Sequence, residues 1–151
     1  MSARVYRAND SVGVKKLILS ILAKEYPFDQ SAYEDTDIND ISGTYSGEDN
    51  IFFVVEENKK IVGTVGVKKE TASRALLRRL FVDQPYRGKG FGTELLKIAI
   101  DFCKGKHYKT LVFRATDRMS KAMKLCKKEG FKEAEDLEVS GFHIHKLTLD
   151  I

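Results

Sequence analysis

One stretch restricts this chain more than any other: Val82-Asp83-Gln84-Pro85-Tyr86-Arg87-Gly88-Lys89-Gly90-Phe91-Gly92-Thr93, which runs directly into a long amphipathic segment. Leu80, Phe81 and Val82 close an apolar, strand-like run, and Pro85, which has no amide to donate to a ladder, ends it. The alternating Gly88, Gly90 and Gly92 then let the backbone curl with its amides unpaired. Phe91, Leu95, Ile98, Ala99 and Phe102 recur at helical spacing, so the curl is read as a helix N-terminus, where free N–H groups and the macrodipole favour an anion. Arg87 and Lys89 add positive charge, and a pyrophosphate suits a short row of amides better than a single carboxylate does.

A plain strand-to-helix turn can carry the same glycines, so the turn alone leaves both readings open. Two other nucleotide-binding patterns fit worse. A P-loop requires Gly-Lys-Ser/Thr in sequence, whereas here Lys89 lies between glycines and Phe91-Gly92 separates Gly90 from Thr93. A dinucleotide fingerprint would place glycine at Thr93 and an acidic residue at the end of the next strand, where Arg114-Ala115-Thr116 stand instead.

With 151 residues, 42% apolar and 32% charged, the chain suits one globular domain spanning 1–151, and not a disordered or fibrous class. A net charge of +4, spread along the sequence, gives no clustered basic face; no nucleic-acid partner is expected, though the excess would help to hold a polyanionic small molecule. The two cysteines, Cys103 and Cys126, have neither disulfide-scaffold nor zinc-site spacing, which points to a reducing, cytoplasmic setting. The N-terminal residues lack the apolar core of a signal peptide, and no run approaches the roughly 20 apolar residues that span a bilayer, so no membrane partner is expected.

Arg4 to Arg7 suggests a short strand, and Asn9-Asp10-Ser11 offers caps for a helix carrying Val14, Leu17, Ile18, Ile21 and Leu22 to a stop at Pro27. Phe28 to Gly47 is polar, acidic and aromatic, a candidate lid or substrate wall, with at most a short helix over residues 37–41. Residues 51–55 and 61–67 form a hairpin pattern, and 75–82 a third strand. From the glycine turn onward, a helix to about Lys106, a strand over 110–114 and a helix bearing Ala122, Leu125 and Cys126 up to Gly130 make a βαβα passage. Leu147, Leu149 and Ile151 alternate with polar residues in a final strand. The expected architecture is α/β: a mixed sheet, largely antiparallel with a central splayed parallel pair, flanked by helices.

Taken together, Leu80-Phe81-Val82, Arg87-x-x-Gly90-x-Gly92 and Ala122-x-x-Leu125-Cys126-x-x-x-Gly130-Phe131 resemble the GNAT superfamily of acetyl-CoA-dependent N-acetyltransferases. The resemblance covers most of the chain, least in its first fifty residues. It implies transfer of an acetyl group from acetyl-CoA to a primary amine of a small molecule, amino acid or peptide, by direct attack in a ternary complex, with no metal. Leu80, Phe81 and Val82 would bind pantetheine through their backbones, a main-chain amide of Phe81 or Leu80 would hold the oxyanion, and Arg87, Gly88, Lys89, Gly90, Phe91, Gly92 and Thr93 would hold the pyrophosphate. Met119 and Ala122 would complete the cofactor site.

The chain departs from the family pattern in three places. Met119 stands where an asparagine is common, Cys126 where a tyrosine protonates the leaving thiolate, and the strand Ala75-Leu76-Leu77-Arg78-Arg79 lacks the glutamate the family often uses as base. Cys126 therefore has two readings, a proton donor or a small packing residue. Glu70 is the first substitute base, followed by Asp35 and Asp37, each of which can also be a solvated surface acid. His143 and His145, two apart on one strand face, make an incomplete metal set and read as rim residues. Lys68-Lys69 or Lys127-Lys128 could meet the CoA 3′-phosphate, Arg78-Arg79 could pair with acids of the first half or face an acidic acceptor, and Tyr26, Phe28, Tyr33 and Tyr45 could line an acceptor pocket or the core. The departures leave a non-catalytic CoA-binding module as the alternative. Monomer and homodimer are both open.

Overall fold

Residues 51–55 and 61–67 are too rich in β-branched and aromatic side chains to favour a helix, and they pair as an antiparallel hairpin. The computed structural model describes residues 2–26, 37–139 and 141–151; in it these runs are β2 (Ile51–Glu57) and β3 (Lys60–Lys69). Asn58 and Lys59 connect them with φ values of 52° and 63°, the left-handed pair that matches a two-residue turn to strand twist. One seven-stranded sheet results, in the order β1-β2-β3-β4-β5-β7-β6, completed by β1 (Ala3–Val5), β4 (Arg74–Val82), β5 (Thr110–Thr116), β6 (Lys132–Val139) and β7 (Phe142–Asp150). Every neighbouring pair is antiparallel except β4 and β5. As a parallel pair requires, that connection crosses through a helix, α3 (Phe91–Gly105).

The sheet's alternation sends side chains to two helical layers. On one face lie α1 (Ser11–Glu25) and the single turn α2 (Ile41–Thr44), where Tyr45 packs on Phe52 with ring centres 5.0 Å apart. That ring lies so close to the strand that a Cβ at Gly66 would sit 2.7 Å from it. On the other face Phe53 meets Phe102 of α3 edge-on, and Leu95, Leu96, Ala99 and Cys103 bury the helix's apolar stripe. The last helix, α4 (Ser120–Lys128), packs beside α3, and Gly130, at φ 105°, ends it in a Schellman motif: Phe131 N donates to Cys126 O and Gly130 N to Lys127 O.

Several local readings differ from the sequence expectation. β6 was not anticipated, because Lys132-Glu133-Ala134-Glu135-Asp136-Leu137-Glu138 shows charge where strand alternation would show apolar residues; it is an edge strand, and its charges oppose further pairing. The first strand ends at Val5, although Tyr6 N still bonds Phe52 O. Asp10 does not cap α1 with its side chain; its carboxylate accepts from Arg7 N and from both terminal nitrogens of Arg4. Residues 37–39 form a turn, and the helical turn follows it at Ile41, capped by Asp40 accepting from Gly43 N.

Candidate functional site

The site begins where the central parallel pair fails. β4 and β5 pair only from Arg74 opposite Thr110 to Leu77 opposite Phe113. Beyond Leu77, Arg79 and Leu80 stand against the single residue Val65 of β3, a β-bulge, and Arg79 takes φ 53°. Thr64 Oγ1 donates to Arg79 O at 2.7 Å, which fixes the bulged carbonyl. The Arg79 guanidinium donates to Asp37 from Nε (2.9 Å) and Nη2 (2.6 Å), and Tyr45 donates its hydroxyl to the same carboxylate at 2.9 Å. Both charged side chains are almost fully enclosed, 5% and 2% exposed. A buried ion pair from the segment before α2 thus holds the one left-handed residue of β4 in place.

Where the strands part, two cavities open and meet. The first, of about 260 Å³, lies between the end of β4, the glycine turn and α4. Of the expected cofactor-binding residues, Leu80, Phe81, Val82, Arg87, Gly88, Gly90, Phe91, Gly92, Thr93, Met119 and Ala122 all line it, and Lys89 alone does not; its ammonium lies 5.5 Å from the Tyr86 ring centre. Gly88 and Gly90 take φ of 78° and 87°, conformations that side-chain-bearing residues avoid. The first α3 hydrogen bond runs from Glu94 N to Gly90 O, so the amides of Phe91, Gly92 and Thr93 precede the helix's internal bonding. Tyr26, Tyr86, Lys121 and Leu125 also line this cavity. Sequence reasoning gave Tyr26 only as one of an aromatic cluster and Leu125 only as part of the downstream motif; Tyr86 and Lys121 went unassigned, although Lys121 precedes Ala122 on the helix that carries that motif.

The second cavity, of about 390 Å³, is the splay itself, and it shares Leu80, Phe81 and Met119 with the first. Arg78, Arg79 and Arg114 line it, together with Thr116 and apolar residues, and among the described residues none that lines either cavity is Asp, Glu or His. Arg78 and Arg114 project from β4 and β5 on the α1–α2 face, where their charge meets whatever enters from that side.

Three residues expected in the chemistry are engaged elsewhere. Arg87 gives both terminal nitrogens to Glu25 at 2.7 Å each and its Nε to Val82 O at 2.9 Å, so its charge is neutralised by α1 and it pins the end of β4 there. Glu70 lies outside both cavities, paired with Arg74 at 2.6 Å and, from behind, with Arg114 at 3.5 Å. Cys126 is fully buried and lines neither cavity; burial pushes its thiol up to about 12, as suits packing and not proton donation at neutral pH. Asp37 is likewise committed, to Arg79, while Asp35, Phe28 and Tyr33 lie outside the described residues. Lys68 donates to Thr44 O, Lys69 pairs with Asp49 and Lys127 with Glu133, which leaves these charge runs on the protein's own surface. Among the described residues, no helix is long and apolar enough to cross a membrane.

Comparison with known proteins agrees with this geometry. The family model described as Acetyltransferase (GNAT) family matches residues 16–131. Human N-acetyltransferase 8B is 32% identical over 122 residues, 77% of this chain and 52% of its own length. N-acetylaspartate synthetase of Xenopus tropicalis is 32% identical over 105 residues, 68% of this chain and 39% of its own. The chain thus spans about half the length, or less, of these curated relatives. Among solved structures, a GNAT-family acetyltransferase from Staphylococcus aureus superimposes with a TM-score of 0.86 at 22% identity, covering 98% of this chain and 97% of its own. An acetyltransferase from Streptococcus agalactiae gives 0.87 at 20% identity, covering 99% and 97%. With a matched family model over most of its length, a bulged and splayed central strand pair and a glycine turn opening on the resulting cavity, this chain belongs to the GNAT family of acetyltransferases.

Proposed function

We propose that this protein transfers an acetyl group from acetyl-CoA to the amine of a small acceptor that also carries negative charge, such as an anionic amino acid or an acidic peptide N-terminus. The observation that carries the proposal is the junction at Leu80, Phe81 and Met119. There an amide-lined cavity headed by a helix N-terminus runs into a cavity whose described lining carries the cations Arg78 and Arg114, Arg79 being spent on Asp37, and no acid. In this reading the diphosphate sits on the amides of residues 88–93, with Lys121 supplying the nearby cation that Arg87 cannot. The pantetheine arm lies along the free edge of Leu80 to Val82 and delivers the thioester to the junction.

The amine attacks the thioester carbon from the second cavity, forming a C–N bond and a tetrahedral oxyanion that collapses to the amide and expels CoA thiolate. A main-chain amide of Leu80 or Phe81, left without a β5 partner by the splay, stabilises the oxyanion; one such donor contributes on the order of 3–4 kcal/mol. Holding both reactants at the junction contributes up to about 7–11 kcal/mol more. Because no described residue lining either cavity is a carboxylate or an imidazole, in this reading the acceptor loses its proton to water, and CoA leaves as a thiolate that solvent protonates. The rate should then rise with pH along the acceptor's own amine ionisation. A peptide α-amine, with a pKa of about 7.7–8.0, would outpace a lysine side chain, near 10.4, at neutral pH.

An amine panel followed by thiol release from acetyl-CoA tests the proposal, each acid paired with its carboxamide. Faster turnover of the acids supports it; equal turnover removes the charge preference, and no CoA binding by calorimetry removes the whole reading. The absence of a carboxylate or an imidazole from the described linings of both cavities also favours a second reading, a CoA-binding module without turnover. That reading expects CoA binding and no thiol release with any amine.

A further inference from the structure

Outside both cavity linings, the fold completes a set that the sequence leaves incomplete. His143 and His145 point from the same face of β7, ring centres 4.5 Å apart, and the connection from β5 to α4 brings Asp117 onto them from a second element. One oxygen, Asp117 Oδ1, lies 2.5 Å from His145 Nε2 and 3.2 Å from His143 Nδ1. One donor atom from each of the three residues falls within 4.8 Å of the others. In a tetrahedral site with ligands about 2.0–2.2 Å from zinc, donor atoms lie roughly 3.3–3.5 Å apart, so small side-chain rotations would open the set around an ion.

The opposite ring nitrogens point to the same use. His143 Nε2 lies 3.0 Å from Asp136 Oδ2 on β6, and His145 Nδ1 lies 3.6 Å from Asp136 Oδ1. Each imidazole therefore turns one nitrogen toward Asp117 and the other toward a single carboxylate on the neighbouring strand. That is the arrangement in which an outer carboxylate sets the histidine tautomer and raises its basicity toward a metal. Glu133, 3.9 Å from His145 Nδ1, is already paired with Lys127, which leaves Asp136 as the outer partner.

We propose that His143, His145 and Asp117 bind one divalent transition-metal ion, zinc by ligand type, with Asp136 as the outer carboxylate and the remaining position open to water or an exogenous ligand. The site ties the sheet edge β6–β7 to the β5–α4 connection. Met119, two residues beyond Asp117, lines both cavities, so a bound ion would hold in place the segment that closes the junction. The ion takes no part in the acyl transfer.

The test uses untagged protein stripped with chelator and dialysed. Zinc titrated by calorimetry should bind with one-to-one stoichiometry, and cobalt should give the visible absorption of an ordered, low-coordinate site. Saturating zinc should raise the melting temperature. His143→Gln and His145→Gln, at positions with partly exposed side chains, should each fold as the parent does and abolish both the stoichiometric heat and the thermal shift. Asp136→Asn should weaken binding about 10–100-fold while leaving the stoichiometry at one. The two cysteines are fully buried, so they do not compete for the ion in the folded protein. Absence of one-to-one binding, or its persistence in a His143→Gln/His145→Gln double variant, would overturn the proposal; unaltered affinity in Asp136→Asn would remove Asp136 from it.

Discussion

Replacing Asp37 with alanine tests whether the buried pair shapes the splay. The substitution leaves the Arg79 guanidinium, whose side chain is 5% exposed, without its carboxylate, and deprives the Tyr45 hydroxyl of its acceptor. Breaking a buried pair by removing one partner costs about 3–5 kcal/mol. In a domain of this size each kcal/mol shifts Tm by roughly 2–4 °C, so the expected fall is roughly 6–20 °C. Relaxation of Arg79 out of φ 53° would return part of this, because a left-handed non-glycine residue stores about 1–3 kcal/mol, but it would do so by straightening the bulge. Thermal unfolding should therefore show the loss of stability, and CoA calorimetry a weaker site. The Asp37→Ala/Arg79→Ala double variant should lose less than the sum of the two singles. The same pair predicts a pH effect. Burial pushes the Asp37 carboxyl up, but the hydrogen bonds and charge of Arg79, with the charge of Arg78, together hold it below the ordinary carboxylate range. A depressed carboxyl contributes its stability above the unfolded value, about 3.9, and loses it as pH falls through the lower folded value, so wild-type Tm should drop more steeply below about pH 4 than that of Asp37→Asn. A Tm fall under about 4 °C in Asp37→Ala, with CoA affinity unchanged, would refute the reasoning.

Three further substitutions separate roles that the structure assigns. Gly92→Val would add a Cβ 3.1 Å from Leu125 Cδ2 and fill the first cavity, and Gly90→Val would force a β-branched residue to φ 87°; both should lose at least tenfold in CoA affinity by calorimetry, and unchanged binding in both would sink the amide cradle. Glu25→Gln should lower Tm by a few degrees without weakening CoA, since it releases Arg87 from its pair; a large loss of CoA affinity would instead mean that the Glu25–Arg87 pair builds the cofactor site. Cys126→Ala should leave thiol release from acetyl-CoA unchanged and reduce stability slightly, and a loss of turnover with an intact fold would make the buried thiol a participant after all.

The fold was legible wherever local chemistry and tertiary environment agreed. The hairpin of β2 and β3, the α3 stripe and the stop at Gly130 each rest on a period or a turn residue that the structure uses in the expected way. β6 was hidden because an edge strand paired on one side has no need of apolar residues on both faces, and its charges look like those of a loop. The first cavity was legible because glycines with positive φ leave a mark in sequence. The pairing of Arg87 was not legible, because nothing along the chain shows that Glu25, sixty-two residues earlier, lies within hydrogen-bonding distance.

The catalytic residues were hard to find for a different reason. In the proposed chemistry the groups that act on the thioester are main-chain amides at Leu80 and Phe81, exposed by a bulge, and backbone donors carry no side-chain signature. What the sequence does record is the support for that bulge: Arg79 on β4, Thr64 on β3 and Asp37 with Tyr45 around α2, none of which lies on the cofactor side of the junction. The carboxylate and the thiol that the sequence offers, Glu70 and Cys126, line neither cavity. In the proposed chemistry, the side chains that matter are those that make one strand break its ladder, together with the arginines at the gap.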